Sequence, residues 1–171
     1  MKTFMFKLLL AFVILIFTFS FANAQGIVKV RYSIDLYITK PDSTIPDSIR
    51  GYFEDDDGMQ LKSFSYDLNG DGIKEKFIPN EFLCGTGLCP WIILDTRSNK
   101  VIGEIDAKVI FITDSVQHGY PVLEAYIRCG GGCGSFSTYE YISNAYQSVR
   151  DVSLKDDEIE LYFKSKKYLN N

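Results

Sequence analysis

Apolar and polar residues alternate along much of this chain. The stretch "VKVRYSIDLYIT" sets Val28, Val30, Tyr32, Ile34, Leu36 and Ile38 against Lys29, Arg31, Ser33, Asp35, Tyr37 and Thr39. Such a period-two pattern predicts a half-buried strand. The prolines and turn formers of "KPDSTIPDS" end it. A short helix over 46–53 is expected next, with Ser43 or Thr44 near its cap and proline in its first turn; Gly51 weakens it. "LKSFSYDL", "KEKFIP", "WIILD" and "VLEAYIRC" read as strands, and "VIGEIDAKVIFIT" as one long strand or two short ones. "STYEYI" and "YQSVRDV" flank "SNA" as a hairpin. "EIELYF" alternates and predicts a closing strand before a frayed basic tail, "KSKKYLNN". Strands at short spacing without a long helical pattern predict a mainly β fold: an antiparallel sandwich, a small barrel or a propeller-blade-like meander, with at most one or two short helices.

The first residues change the picture of where this domain works. Lys2 and Lys7 precede an apolar run, and Ala22-Asn23-Ala24 forms a small-x-small cleavage pattern. The run is shorter than the ~20 residues a spanning helix needs, so residues 1–24 are expected to be a signal peptide. No membrane anchor is expected after cleavage. Residues 25–171 then form one domain, large enough to bury a core. Net charge is −4 for the whole chain, and loss of Lys2 and Lys7 takes it to about −6. An acidic domain without a basic cluster is a poor nucleic-acid binder, because phosphates must be neutralised by Lys and Arg. The run Glu54-Asp55-Asp56-Asp57 is expected to be a solvated loop.

Cys84, Cys89, Cys129 and Cys133 make an even set in an exported chain, which predicts two disulfides. The local pairs Cys84–Cys89 and Cys129–Cys133 are favoured because "GTGL" and "GGG" are flexible spacers. Cross-pairing would close longer loops. A four-cysteine zinc site is the rival, against which stand its usually tighter ligand spacing and the oxidising compartment. Neither pair has the Cys-x-x-Cys spacing of a redox motif. Trp91, beside Pro90 and the first pair, is expected in the core.

Residues 67–75 read "DLNGDGIKE". Asp67, Asn69 and Asp71 stand at alternate positions, Gly72 follows, Ile73 offers a backbone carbonyl, and Glu75 closes the set. Calcium takes six to eight oxygens at ~2.3–2.6 Å, and alternate side chains on a tight loop supply them. Ile78 stands where an EF-hand would place its bidentate Glu, and the flanks are strands, so a weak structural site of about 10⁻⁴ to 10⁻³ M is expected. The alternative is a hairpin turn rich in Asp, Asn and Gly that holds no ion. The loop resembles the short calcium loops between strands of FG-GAP and VCBS-type propeller blades. One blade cannot close a ring, so the likeness is confined to the loop.

A wider resemblance runs through "DLNGDGIKE", "CGTGLC", "VIGEI", "HGYPVLEAYI" and "YEYISNAY", in that order. It is similar to a group of exported bacterial proteins with a DxNGDG loop and a CGxGxC motif, from which this chain departs by adding Cys129 and Cys133 and a long N-terminal strand. The resemblance implies the fold and the compartment, periplasmic or secreted, and brings no activity with it.

No Gly-x-Ser-x-Gly, His-Glu-x-x-His or P-loop pattern occurs. His118, the one histidine, is expected at a turn beside Gly119, so no catalytic residue is assigned. Tyr120, Tyr126, Tyr139, Tyr141 and Tyr146 either pack the late hairpin on the core or form a stacking platform. The functional expectation is a monomeric, non-enzymatic binding or envelope-accessory module whose partner is a protein or glycan of the cell envelope. The alternatives are a small periplasmic hydrolase centred on His118 and an inhibitor of a cell-wall hydrolase.

Overall fold

A computed structural model describes residues 29–53 and 60–165. The expected signal peptide, the acid run 54–57 and the end of the basic tail lie outside the described residues. Among the described residues ten strands form two five-stranded sheets. The first holds β1 (Val30–Ile34), β7 (Val109–Gln117), β8 (Tyr120–Cys129), β9 (Cys133–Ile142) and β10 (Ala145–Lys155), in that order. The second is a meander of β2 (Lys40–Pro41), β3 (Lys62–Tyr66), β4 (Glu75–Pro79), β5 (Cys89–Asp95) and β6 (Lys100–Ala107). Every strand pairing is antiparallel. Neither sheet closes on itself, so the sandwich is the architecture found among those expected. The stretch expected as one or two strands is two, in different sheets, with Lys108 at the corner and its N–H bonded to the Tyr126 carbonyl at 2.7 Å.

The strands carry apolar residues on both faces because both faces are covered. Phe77, Trp91, Ile93, Ile105, Ile110, Ile112 and Leu123 meet between the sheets, and Trp91 is 1% exposed as its core assignment requires. Ile78, Ile92 and Leu94 point outward from the second sheet and are capped by Ile45, Ile49 and Phe53. These come from the segment around α1 (Asp47–Arg50), shorter than the expected helix. Pro46 occupies its N-cap without a side-chain cap bond, since Thr44 is engaged instead with Asp42.

The last element corrects the sequence reading. "EIELYF" is not a strand but lies in α2 (Asp156–Ser165). Ile159, Tyr162 and Phe163 share one helical face; Tyr162 and Phe163 cover Phe111 and Phe136 on the outer face of the first sheet, and Ile159 lies over Gly134. Leu161, which the alternating pattern counted as inward, is 67% exposed. Asp156, Asp157 and Glu158 stand in the first turn, where the helix dipole favours negative charge. The first strand is also shorter than expected. It stops at Ile34, and residues 36–38 form a 3-10 turn whose N-cap Asp35 accepts the Tyr37 N–H at 2.9 Å.

Candidate functional site: the acidic turn and the aromatic groove

Tyr66 pairs with Glu75 across the base of the predicted loop, which therefore sits at a hairpin tip between β3 and β4. Its polar side chains fold back on its own backbone. Asp67 accepts the N–H groups of Gly70 at 2.8 Å and Gly72 at 2.9 Å, one on each carboxylate oxygen. Asn69 Oδ1 accepts the Asp71 N–H at 2.9 Å, and Asp71 Oδ1 accepts the Ile73 N–H at 2.8 Å. Gly72 sits at φ 84°, a left-handed conformation that a side chain would strain. Glu75 is only 3% exposed, on the inward face, and its Oε2 accepts the Leu68 N–H at 2.8 Å. Burial pushes its carboxyl up from the ordinary value, and Asp71 and Asp67 add to this against the Leu68 bond.

Neighbouring turns lock this tip. Arg97, from the β5–β6 turn, reaches Asp71 Oδ2 at 3.0 Å, and Thr96 Oγ1 donates to the Lys74 carbonyl at 2.9 Å. Asn69 Nδ2 donates to the Tyr120 hydroxyl at 3.2 Å, at the start of β8. Asp67, Asn69, Asp71, Ile73 and Glu75 thus share one wrapped turn. As donors they suit a hard cation in kind, but Asp71 already faces a guanidinium, and among the described residues no three His, Cys, Asp or Glu side chains converge as ligands. His118 is an exposed residue of the β7–β8 turn at φ 52°.

The late tyrosines pack. Tyr120 stacks on Tyr141 with centroids 3.8 Å apart, and Tyr146, 5% exposed, donates to the Pro121 carbonyl at 3.0 Å. Burial, with Tyr120 beside it, pushes the Tyr141 phenol up to about 12.

The exposed aromatic surface lies where sequence reasoning did not look. Tyr32 on β1 stacks on Phe64 of β3 at 5.0 Å and 13°, bridging the two sheets, and Tyr66 lies 5.8 Å from it. Tyr32 is 40% exposed and Tyr37 is 90% exposed. Tyr32, Tyr37, Ile38, Lys40, Asp42 and Phe64 line a groove of about 560 Å³. The one available signal was Tyr37, an aromatic at a polar position of the alternating stretch.

The cysteines form the two local pairs, with Cα–Cα distances of 4.1 Å for Cys84–Cys89 and 5.3 Å for Cys129–Cys133. The two staples are neighbours. Arg128 N–H donates to the Gly87 carbonyl at 2.9 Å, and a Cβ on Gly87 would fall 1.9 Å from the Arg128 oxygen, so this docking requires glycine. Two disulfides point to an oxidising, non-cytoplasmic environment. Among the described residues no helix is long and apolar enough to cross a membrane. Comparison with protein-family models, with curated proteins and with solved structures finds no match to this chain.

Proposed function

We propose that this chain is an exported, monomeric, non-enzymatic binding module of the cell envelope, periplasmic or secreted, and that the groove between β1 and β3 is its binding surface. The observation that carries the reading is the exposed pair Tyr32 and Tyr37, with half-buried Phe64 beside them in the groove. Large aromatic side chains held in water lose their hydration cost on meeting a partner, and a flat ring suits a sugar face or an extended peptide. Lys40 supplies a polar rim in the same groove. The partner class is a protein or glycan of the envelope.

The acidic turn takes a supporting part in this reading: Asp67, Asn69, Asp71, the Ile73 carbonyl and Glu75 hold a structural calcium ion. The support is that the turn is already wrapped, with Asp67 and Asp71 turned into it rather than splayed outward. Binding there must draw Asp71 away from Arg97, which accords with the weak affinity expected of the ligand set.

The test is co-sedimentation of the mature chain with an isolated envelope fraction. Tyr32→Ala combined with Tyr37→Ala should weaken binding about thirtyfold or more, since even one aromatic anchor of this kind carries ~2 kcal/mol. Undiminished binding by a folded double variant would remove the groove from the proposal.

A further inference from the structure

A second cavity, unrelated to the aromatic groove, lies along the β5–β6 side of the second sheet, with Tyr139 of the first sheet reaching it. Its volume is about 290 Å³, at the small end of ligand pockets. Ile92 and Pro90 on β5 pair with Glu104 and Asp106 on β6, so the two carboxylates stand on one face beside an apolar floor. Tyr52, Leu83 and Tyr139 contribute to the walls. Among the described residues that line it there is no Lys or Arg.

Asn80 is the decisive residue. It is 9% exposed, it lines the cavity, and its Oδ1 is a buried acceptor without a hydrogen-bond partner. A buried carbonyl left unpaired costs ~1–3 kcal/mol, so folds seldom retain one without a reason. Its backbone is held tightly: the N–H donates to the Pro90 carbonyl at 2.8 Å, and its carbonyl accepts the Leu83 N–H at 3.1 Å. The Cys84–Cys89 bridge packs against the same carbonyl, with Cys84 Sγ at 3.2 Å. The CGTGLC staple therefore fixes the residue whose side chain is left unpaired.

We propose that this cavity binds a small organic cation, a primary ammonium or guanidinium on a short apolar stem, with Asn80 Oδ1 accepting an N–H, Glu104 and Asp106 neutralising the charge, and Ile92, Leu83 and Tyr52 covering the stem. The need for a donor comes from Asn80, the need for positive charge from the unopposed carboxylates, and the size limit from the volume. The site does not depend on the aromatic groove, and the variants that test one leave the other intact.

The experiment titrates the mature chain with n-butylammonium and n-butylguanidinium, and in parallel with 1-butanol and butyrate. Readouts are the Asn80 side-chain amide resonances and the fluorescence of Trp91, the sole tryptophan. Both cations should give saturable shifts, with the alcohol at least tenfold weaker and butyrate silent. Glu104→Gln with Asp106→Asn, both exposed positions, should weaken cation binding about tenfold or more, the equivalent of ~1.4 kcal/mol. Asn80→Leu should abolish binding while leaving Tm unchanged or raised, because it removes the orphaned acceptor. Absence of saturable shifts, equal binding of the alcohol, or full binding by either variant would overturn the proposal and leave a water-filled cleft with charges that guard the β6 edge.

Discussion

Single side chains decide how the acidic turn behaves. Asp67 spends both carboxylate oxygens on backbone N–H groups, so its loss should destabilise the turn with or without an ion. Arg97 is the better probe. Its contact with Asp71 is a surface pair worth about 0–1 kcal/mol, so Arg97→Gln should barely lower Tm without calcium. If calcium occupies the turn, the same change should tighten calcium several-fold by calorimetry; no heat from either protein at ~10⁻³ M calcium would end that reading. Glu75 sets a pH dependence. Its folded-state value lies above the ordinary 4.5, so the native state gains from protonation. That contribution is full below about pH 4.5 and is lost as pH rises through the folded value. Glu75→Gln keeps an acceptor for the Leu68 N–H, so it should flatten the Tm profile from pH 4.5 to neutral and raise Tm at pH 7. Asp42 runs the other way. Burial raises it, but bonds from Lys76, Ser63 and Thr44 prevail and hold it well below 3.8, so its contribution is full above that pH and is lost as pH falls. A Tm profile unchanged by Glu75→Gln would contradict the assigned role of the buried carboxyl.

At the scale of elements, two periods competed in the same residues. "EIELYF" satisfies alternation and helical spacing alike, and six residues cannot separate them by pattern. What selected the helix is the apolar outer face of the first sheet, which needed a cover. Phe163 meets Phe111, Tyr126 and Phe136 edge-on at 5.9, 5.2 and 5.1 Å. Phe163→Ala should therefore cost about 2 kcal/mol in urea denaturation, below the usual core range because the ring is half-buried. A change under a few tenths would mean that α2 does not hold that face in solution. The first strand shows a subtler departure. A register shift between Val30 and Tyr32 in its pairing with β7 puts Val30 on the outer face and Ile34 in the central core, although simple alternation places them together. It also leaves Tyr32 over Phe64, so the irregularity builds the aromatic groove.

Across the whole molecule, the layers are helix segment, sheet, sheet and helix, and the bridges staple turns rather than joining distant strands. Each closes only a short loop, with sequence separations of 5 and 4. Loop-closure entropy then predicts about 2 kcal/mol per bridge. Reduction should lower Tm without abolishing the cooperative transition or the β circular-dichroism signal; collapse to an unfolded chain would show that the apolar core is too weak alone. Much of this was legible in the residues. Alternation located the β-rich meander, the spacing of the cysteines and their glycine spacers indicated the local pairs, and Asp, Asn and Gly marked the hairpin tip at 67–75, because these signals act between near neighbours. The pairing of β1 with β7, the corner at Lys108, the helix at 156–165, the Tyr32–Phe64 stack and the unpaired Asn80 acceptor were decided only by the tertiary structure. Each depends on which distant surface comes to lie against a residue, and a local pattern records what a side chain prefers to bury but not what it will meet.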